Sequence, residues 1–544
     1  MATDGTTTRG SPSYPRIPAD GRGRLSRLAP PLGLLLLTLA VYGSSLRNGF
    51  VWDDHHIIVD NPSTRDLSQL GHVLLAPDEF ATYYRPLNRA SYLVDYQLFG
   101  MDPHGFHAVN LVLHLANVLL LYALTRRLSG ATWPAVVAAA LLAIHPLQSE
   151  PVNFVTARNN LLVLLFALAT LLLFIDADRR GSRARAWLSG FAFLLGLLSK
   201  EQAAGVLPLL GAWLLVTPPA EPARRRRRWR LLVPHGVAIL AYLALRIVSV
   251  GMTATSAVGP GLAGRLAQNW YIVPRYLALA LFPRGLTIFH AVPAHPFALP
   301  WLALAWVGIA LAVALLICHR NVATTMGLLW LGFNFLPIAN IVPIPSALLA
   351  ERYFYVPAAG LWIVLADVLW RAARATRRRW LVTAPVAVAL GAFGATTLAR
   401  NRDWHDDVSL ARSAVEVDPA SVDARSNLAV ALKDFGDLGG ARQQWEAALA
   451  VDPANAEVLV QLGTLAAVQG ELDGAERLYR RALASDPAAP LAHYNLARIC
   501  DRTGRQREAL EHYRAFLSLP VQYEHAGFAA FARERVEALR LGVP

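Results

Sequence analysis

Apolar runs long enough to cross a bilayer constrain this chain more than anything else in it. A spanning helix needs about 20 mostly apolar residues, and segments such as 107–125, 231–249, 300–318 and 381–399 reach that length. The composition agrees with them. Of the 544 residues 55% are hydrophobic and 16% charged, whereas a soluble domain carries about a quarter charged residues. The sequence therefore predicts an all-α, multi-pass membrane protein.

About eleven spans are expected, near 30–46, 107–125, 131–145, 158–175, 186–199, 202–217, 231–249, 300–318, 323–342, 354–370 and 381–399. Basic clusters lie between them at Arg9 to Arg27, Arg126-Arg127, Arg179 to Arg185, Arg224 to Arg230 and Arg371 to Arg379. With the N-terminus in the cytoplasm the first four fall inside, where loops carry an excess of Lys and Arg. The fifth joins them if 266–283 does not cross. Arg265, Pro274, Arg275 and Pro283 in and around that stretch fit an interfacial or re-entrant helix. The C-terminal region then lies opposite the cytoplasm. Residues 1–29 read as a disordered cytoplasmic tail. The apolar run after them has no small-residue cleavage site of a removable signal peptide. The clusters account for the net charge of +13, so membrane lipid and not nucleic acid is the expected partner of the basic residues. Cys318 and Cys500 lie too far apart in sequence and setting to suggest a disulfide or a zinc site.

On this map the outer face carries loop 48–104, the turns at 146–157 and Lys200-Glu201, and loops 250–299 and 343–353. Nearly every unusual polar residue of the membrane half falls there. Loop 48–104 begins Phe50-Val51-Trp52-Asp53-Asp54-His55-His56. Adjacent acids beside hydrocarbon are costly, because desolvation and mutual repulsion both oppose ionisation. Asp53 and Asp54 are thus candidates for a catalytic base. They could instead bind a divalent cation with His55 and His56, or cap a helix. His107, Asn110, His114 and Asn117 share one helix face. That face looks into the bundle; His114 and Asn117 read as interhelical hydrogen bonding, while His107 can reach the loop. His145-Pro146, Glu150 and Arg158 bracket the second turn. Arg158, Lys200 and Arg352 are three separated cations on one face, suited to an anionic ligand, since a guanidinium matches phosphate oxygens bidentately. Ordinary ion pairs with Glu150, Glu201 and Glu351 are the alternative.

From residue 404 the pattern changes to amphipathic helices. Asp418-Pro419, Asp452-Pro453 and Asp486-Pro487 recur every 34 residues, as do Gly436, Gly470 and Gly504, and Ala414, Ala448 and Ala482. That period, with small residues at packing positions, is the tetratricopeptide signature. Three repeats are visible, preceded by a half-repeat from Trp404. Three domains follow: the tail 1–29, a polytopic domain 30–403, and a tetratricopeptide-repeat α-solenoid 404–544. Such solenoids offer a concave surface to peptides or proteins, and recruitment of an acceptor and plain scaffolding both fit it.

No glycine-rich nucleotide loop, Walker motif or nucleophile elbow is present in the sequence. The ordered set Val51-Trp52-Asp53-Asp54 with Asn61, Tyr84-Arg85-Pro86-Leu87, Gly105-Phe106-His107, Asn110, His114, His145-Pro146, Glu150-Pro151-Val152, Arg158, Lys200-Glu201 and Glu351-Arg352-Tyr353, followed by the repeats, resembles the transmembrane and tetratricopeptide repeat-containing proteins. More broadly it is similar to the lipid-dependent glycosyltransferases of the GT-C fold. Asn160 departs from the pattern, standing where relatives lead one to expect an acid.

The resemblance implies a GT-C-like helical bundle whose first outer loop supplies an acidic residue to the chemistry, here Asp53 or Asp54. It implies transfer of a hexose, mannose in the eukaryotic members, from a polyprenyl-phosphate carrier to a protein hydroxyl. Arg158, Lys200 and Arg352 would hold the donor phosphate, with Arg85, His107, His145, Glu150, Glu201 and Glu351 supporting. No cofactor is then required, and a divalent metal is the alternative. The Arg- and Ala-rich composition points to a bacterial inner membrane, with the repeats on the periplasmic side. Transfer to a lipid or envelope glycan, and a non-catalytic membrane-anchored scaffold, are the competing readings.

Overall fold

The computed structural model describes residues 24–76, 83–219, 221–251, 261–293, 299–340, 347–519 and 526–541. The expected N-terminal tail lies almost wholly outside them. Among the described residues every regular element is helical. Two compact units divide the chain, one running through Asp406 and the other from Asp407.

Among the described residues of the first unit, seven helices are long and apolar enough to cross a membrane: Arg27–Arg47, Pro103–Ser129, Val155–Arg180, Arg225–Val250, Pro300–Cys318, Glu351–Ala375 and Trp380–Arg400. The pair Thr132–Ile144 and Pro146–Asn153, bent by 55°, makes an eighth where the two helices are taken as one broken span, and is otherwise a re-entrant loop. The remaining three stretches expected to span are shorter helices, Arg183–Ser199, Glu201–Val216 and Val322–Ile338. The count of eleven is therefore not reached by length and composition. The ambiguous stretch forms one helix, Leu262–Leu281, with Pro274 inside it.

The bend at Pro146 has a local cause. His145 is extended, its Nδ1 accepts the Leu147 N–H at 3.2 Å, and Pro146 opens a short 3-10 turn. A proline is well placed at such a first position, where its missing N–H goes unneeded. Glu150 and Asn153 are thereby carried, fully buried, on a short helix at the end of the bundle. The interior of the bundle is apolar, built on residues such as Leu121, Leu164, Phe174, Trp213, Trp330 and Trp362. Polar bonds tie its helices. His114 shares a 2.8 Å bond with the Tyr355 hydroxyl, which also accepts from Asn117.

In the second unit the helix pairs Val422–Asp434 with Leu438–Val451, Ala456–Val468 with Leu472–Ser485, and Pro490–Arg502 with Gln506–Ser518 repeat one hairpin. Each recurring Asp accepts the N–H two residues on, at 3.1, 3.2 and 2.9 Å for Ala420, Ala454 and Ala488, which turns the chain into the next repeat. Gly436, Gly470 and Gly504 have φ of 94°, 83° and 76°, a region that only glycine enters freely. Trp445, Tyr479 and Tyr513 are buried between the paired helices with Ala441, Ala475 and Ala509.

Candidate active site

Val51, Trp52 and the two aspartates form a tight reversal after the first span. The Asp54 N–H bonds the Val51 carbonyl at 3.0 Å and the His55 N–H bonds that of Trp52 at 3.1 Å. Trp52 takes φ 53° to make the turn, a left-handed conformation rare for a large side chain.

The reversal sends the two carboxylates to different environments. Asp54 is fully buried. Its Oδ1 accepts the Thr156 N–H at 2.8 Å and its Oδ2 the Val51 N–H at 3.3 Å. Burial pushes its pKa up to about 7, against the pull of those N–H groups. Asp53 is half-buried. Its pKa is raised as well, chiefly by desolvation, with the Arg352 and His56 charges opposing. Asp54 thus fastens the loop to the start of Val155–Arg180, and Asp53 is the less buried carboxylate of the two.

Arg352 stands in a carboxylate and aromatic setting. Its guanidinium pairs with Glu150, and its backbone N–H bonds the second Glu150 oxygen at 2.8 Å. The guanidinium carbon lies 5.7 Å from the Trp52 ring centre, 5.9 Å from that of Phe154 and 5.1 Å from that of Tyr353. Lys200 is buried, donates to Asn160 at 2.7 Å and sits 5.0 Å from the Tyr353 ring. Desolvation, then the nearby Arg85 charge, lower its pKa to about 7. Asn160 therefore gives Lys200 a neutral hydrogen-bond partner. Arg85 forms a two-point pair with Glu201 at 2.5 and 3.1 Å.

Asp53, Lys200, Arg352, Glu150, Arg85 and Glu201 are thus brought into one electrostatic neighbourhood. Four other residues from the sequence are used elsewhere. Arg158 is fully buried and spends its guanidinium on Asp95 at 2.5 Å, Asn110 at 2.7 Å, Ser91 at 3.1 Å and the Phe106 carbonyl at 3.1 Å. It braces the helices beneath the loop. His107 bonds the Gly49 carbonyl at 3.1 Å and so supports the loop from below. His145 bonds the Ala280 carbonyl at 3.0 Å between the Trp362 and Phe393 rings. Glu351 points away from Arg352, accepting from Thr287 at 2.7 Å and from Arg400 at 3.2 Å. Among the described residues no group of three or more His, Cys, Asp or Glu is arranged to hold a metal ion.

Sequence reasoning missed Phe154, Phe289, Trp404, Asn153, Arg400 and Asn401. Trp52 stacks on Phe154 at 5.6 Å and meets Phe289 edge-on at 5.7 Å; Phe154 in turn stacks on Trp404 at 5.9 Å. Trp404, read from the sequence as the start of the repeats, packs within the first unit. The one available signal was the density of aromatics near the ends of spans.

The fold and site define a polytopic, GT-C-like membrane protein that carries its acid–cation cluster between spans and a tetratricopeptide domain after the last of them. Residues 94–252 match the family described as dolichyl-phosphate-mannose-protein mannosyltransferase, and 427–490 and 460–520 match the tetratricopeptide repeat. The chain is 26% identical to Protein O-mannosyl-transferase TMTC4 of Homo sapiens, over 76% of this chain and 65% of that protein. It is 24% identical to Protein O-mannosyl-transferase Tmtc1 of Drosophila melanogaster, over 77% and 60%, and 28% identical to human TMTC1, over 77% and 55%. It is a relative of these transmembrane and tetratricopeptide repeat-containing proteins. It spans about 55–65% of the length of the three.

Proposed function

We propose that the protein is an integral-membrane glycosyltransferase that moves a hexose, mannose by analogy with its relatives, from a polyprenyl-phosphate carrier to a protein hydroxyl. The observation that carries this reading is the half-exposed Asp53 beside an Arg352 anchored on Glu150. A carboxylate with a raised pKa in reach of an acceptor is suited to general-base work near neutrality. Asp53 takes the acceptor O–H proton as that oxygen attacks the anomeric carbon. The bond from that carbon to the carrier phosphate breaks, and the phosphate leaves with the bonding electrons. Arg352 and Lys200 stabilise the charge that develops on it, which is where fixed cations lower a barrier most. Asp54 and Arg158 position the loop and the helices under it, and Arg85 with Glu201 flanks Lys200. A monophosphate leaving group held by two cations needs no metal. The repeats recruit the acceptor protein, and the protein works in the bacterial inner membrane with its repeats on the periplasmic side.

The test is transfer from labelled polyprenyl-phosphate mannose in membranes containing the full chain. Asp53→Asn abolishes transfer while leaving the thermal unfolding midpoint in detergent unchanged. Full transfer by this variant removes the proposed base.

A further inference from the structure

The last six residues before Asp406 form part of the candidate site. The Gly49 N–H, three residues before Trp52, bonds the His405 carbonyl at 2.9 Å. A Cβ at Gly49 would lie 3.4 Å from that oxygen, in van der Waals contact with it. Asn401 accepts from Asn153 at 2.8 Å and donates to the Val41 carbonyl at 2.8 Å, while Asn153 accepts from Asn48 at 3.1 Å. Arg400 reaches both oxygens of Glu351 at 3.2 Å, next in sequence to Arg352. These are separate ties to loop 48–54, to the Glu150 helix and to the Arg352 turn.

Trp404 belongs to the same segment and stacks on Phe154. It is fully buried, and among the described residues its indole N–H makes no hydrogen bond. Ring packing therefore holds it. Its partner Phe154 lies 5.9 Å from the Arg352 guanidinium carbon and stacks on Trp52, the neighbour of Asp53, which lies 5.7 Å from the same carbon. Stacked aromatic pairs attract beyond simple burial, and their offset geometry fixes ring planes in a way that aliphatic packing does not.

We infer that Trp404 is a positioning residue of this site, acting through Phe154 and Trp52 to fix Asp53 relative to Arg352. The segment Arg400–His405, the last residue of the last span and the turn that follows it, is then a wall of the site. This rests on the transferase reading for its catalytic consequence, but its structural content does not.

The experiment compares Trp404→Leu and Trp404→Phe in the full chain by two readouts. The first is hydrogen exchange of residues 48–54. Leucine fills most of the space without a ring plane, so exchange there rises about tenfold while the Trp445 and Tyr479 region of the repeats is unchanged; phenylalanine restores protection. The second is transfer kinetics. In Trp404→Leu kcat falls about tenfold or more with little change in the KM for donor, because a small misplacement of reacting groups costs rate and not binding; Trp404→Phe recovers most of it. Equal loss in both variants together with a lowered unfolding midpoint means that Trp404 is merely structural, and overturns the inference. Unchanged exchange in Trp404→Leu overturns it too. If the native chain transfers no sugar at all, the transferase reading fails, and the exchange arm alone decides the inference.

Discussion

Glu150 accepts from both the side chain and the backbone N–H of Arg352, 202 residues further along the chain. The bond closes the bundle over its own end, because Glu150 rides on the short helix after the Pro146 bend and Arg352 opens a span. A buried ion pair is a poor source of stability, but removing one partner leaves the other charge stranded. Glu150→Gln is therefore expected to destabilise the membrane unit by about 3–5 kcal/mol. Adding Arg352→Met to it restores much of that loss while transfer stays absent. Denaturation in detergent and the transfer assay separate the two effects, and a transferring double variant would show that Arg352 has no catalytic part.

The two aspartates are expected to behave oppositely. Asp54→Asn keeps an acceptor for Thr156 but turns an N–H₂ toward the Val51 N–H, so stability falls by about 1–3 kcal/mol. Its pH signature has a definite sign. The folded-state pKa of Asp54 is raised to about 7, so its contribution favours the fold at low pH and is lost as pH rises from the unfolded value through 7. The native chain thus loses more stability between pH 5 and pH 8 than Asp54→Asn does. A steeper loss in the variant contradicts the assignment.

Lys200 carries a charge that fades near neutrality, its pKa being lowered to about 7 by burial and by Arg85. Donor affinity should weaken as pH rises from 6 to 8.5, seen as a rising KM for the polyprenyl-phosphate sugar. Lys200→Gln should show a high KM at both ends of that range. Asn160→Asp supplies the missing acid, keeps Lys200 charged, and is expected to flatten the dependence.

In the repeats, Gly463 faces the ring of Tyr479, and an added Cβ would lie 2.6 Å from a ring carbon. Gly463→Ala should cost about 1–3 kcal/mol through overpacking. Tyr479→Ala should cost about 3–5 kcal/mol through the cavity it leaves. The melting transition of the repeat domain within the full chain measures both. Gly470→Ala, strained by its φ of 83° and not by space, is expected to lose about 1 kcal/mol.

The repeats were legible in the sequence because a 34-residue period writes the same turn, the same small residues and the same glycine φ three times over. The spans were legible in position more than in kind. Among the described residues each of the eleven expected stretches overlaps a helix, and the expected end of one span at 145 falls at the break before Pro146; hydropathy reports composition and not geometry, so the short helix that follows the break was read only as a turn. The aspartate pair, Lys200 and Arg352 stood out as charges beside apolar runs. What separated Asp53 from Asp54 was the Thr156 N–H, 102 residues away, and no local pattern encodes that. Arg158 looked like its fellow cations for the same reason: its partner Asp95 is distant in sequence, and only packing shows that the guanidinium is already spent. The Trp404 contacts were hidden by the change of composition beside them, which drew the eye toward the repeats.

The tie between Gly49 and His405 also sets an order of events during synthesis. The first residues of the site leave the ribosome early, with the first span, but their carbonyl partner is among the last residues of the membrane unit. A nascent chain shorter than about 405 residues holds Asp53 without the Trp404 wall, and one shorter than about 352 lacks the guanidinium too. The cluster is complete only once the last span and the turn after it have been made, so no chain that stops short of them carries a finished site.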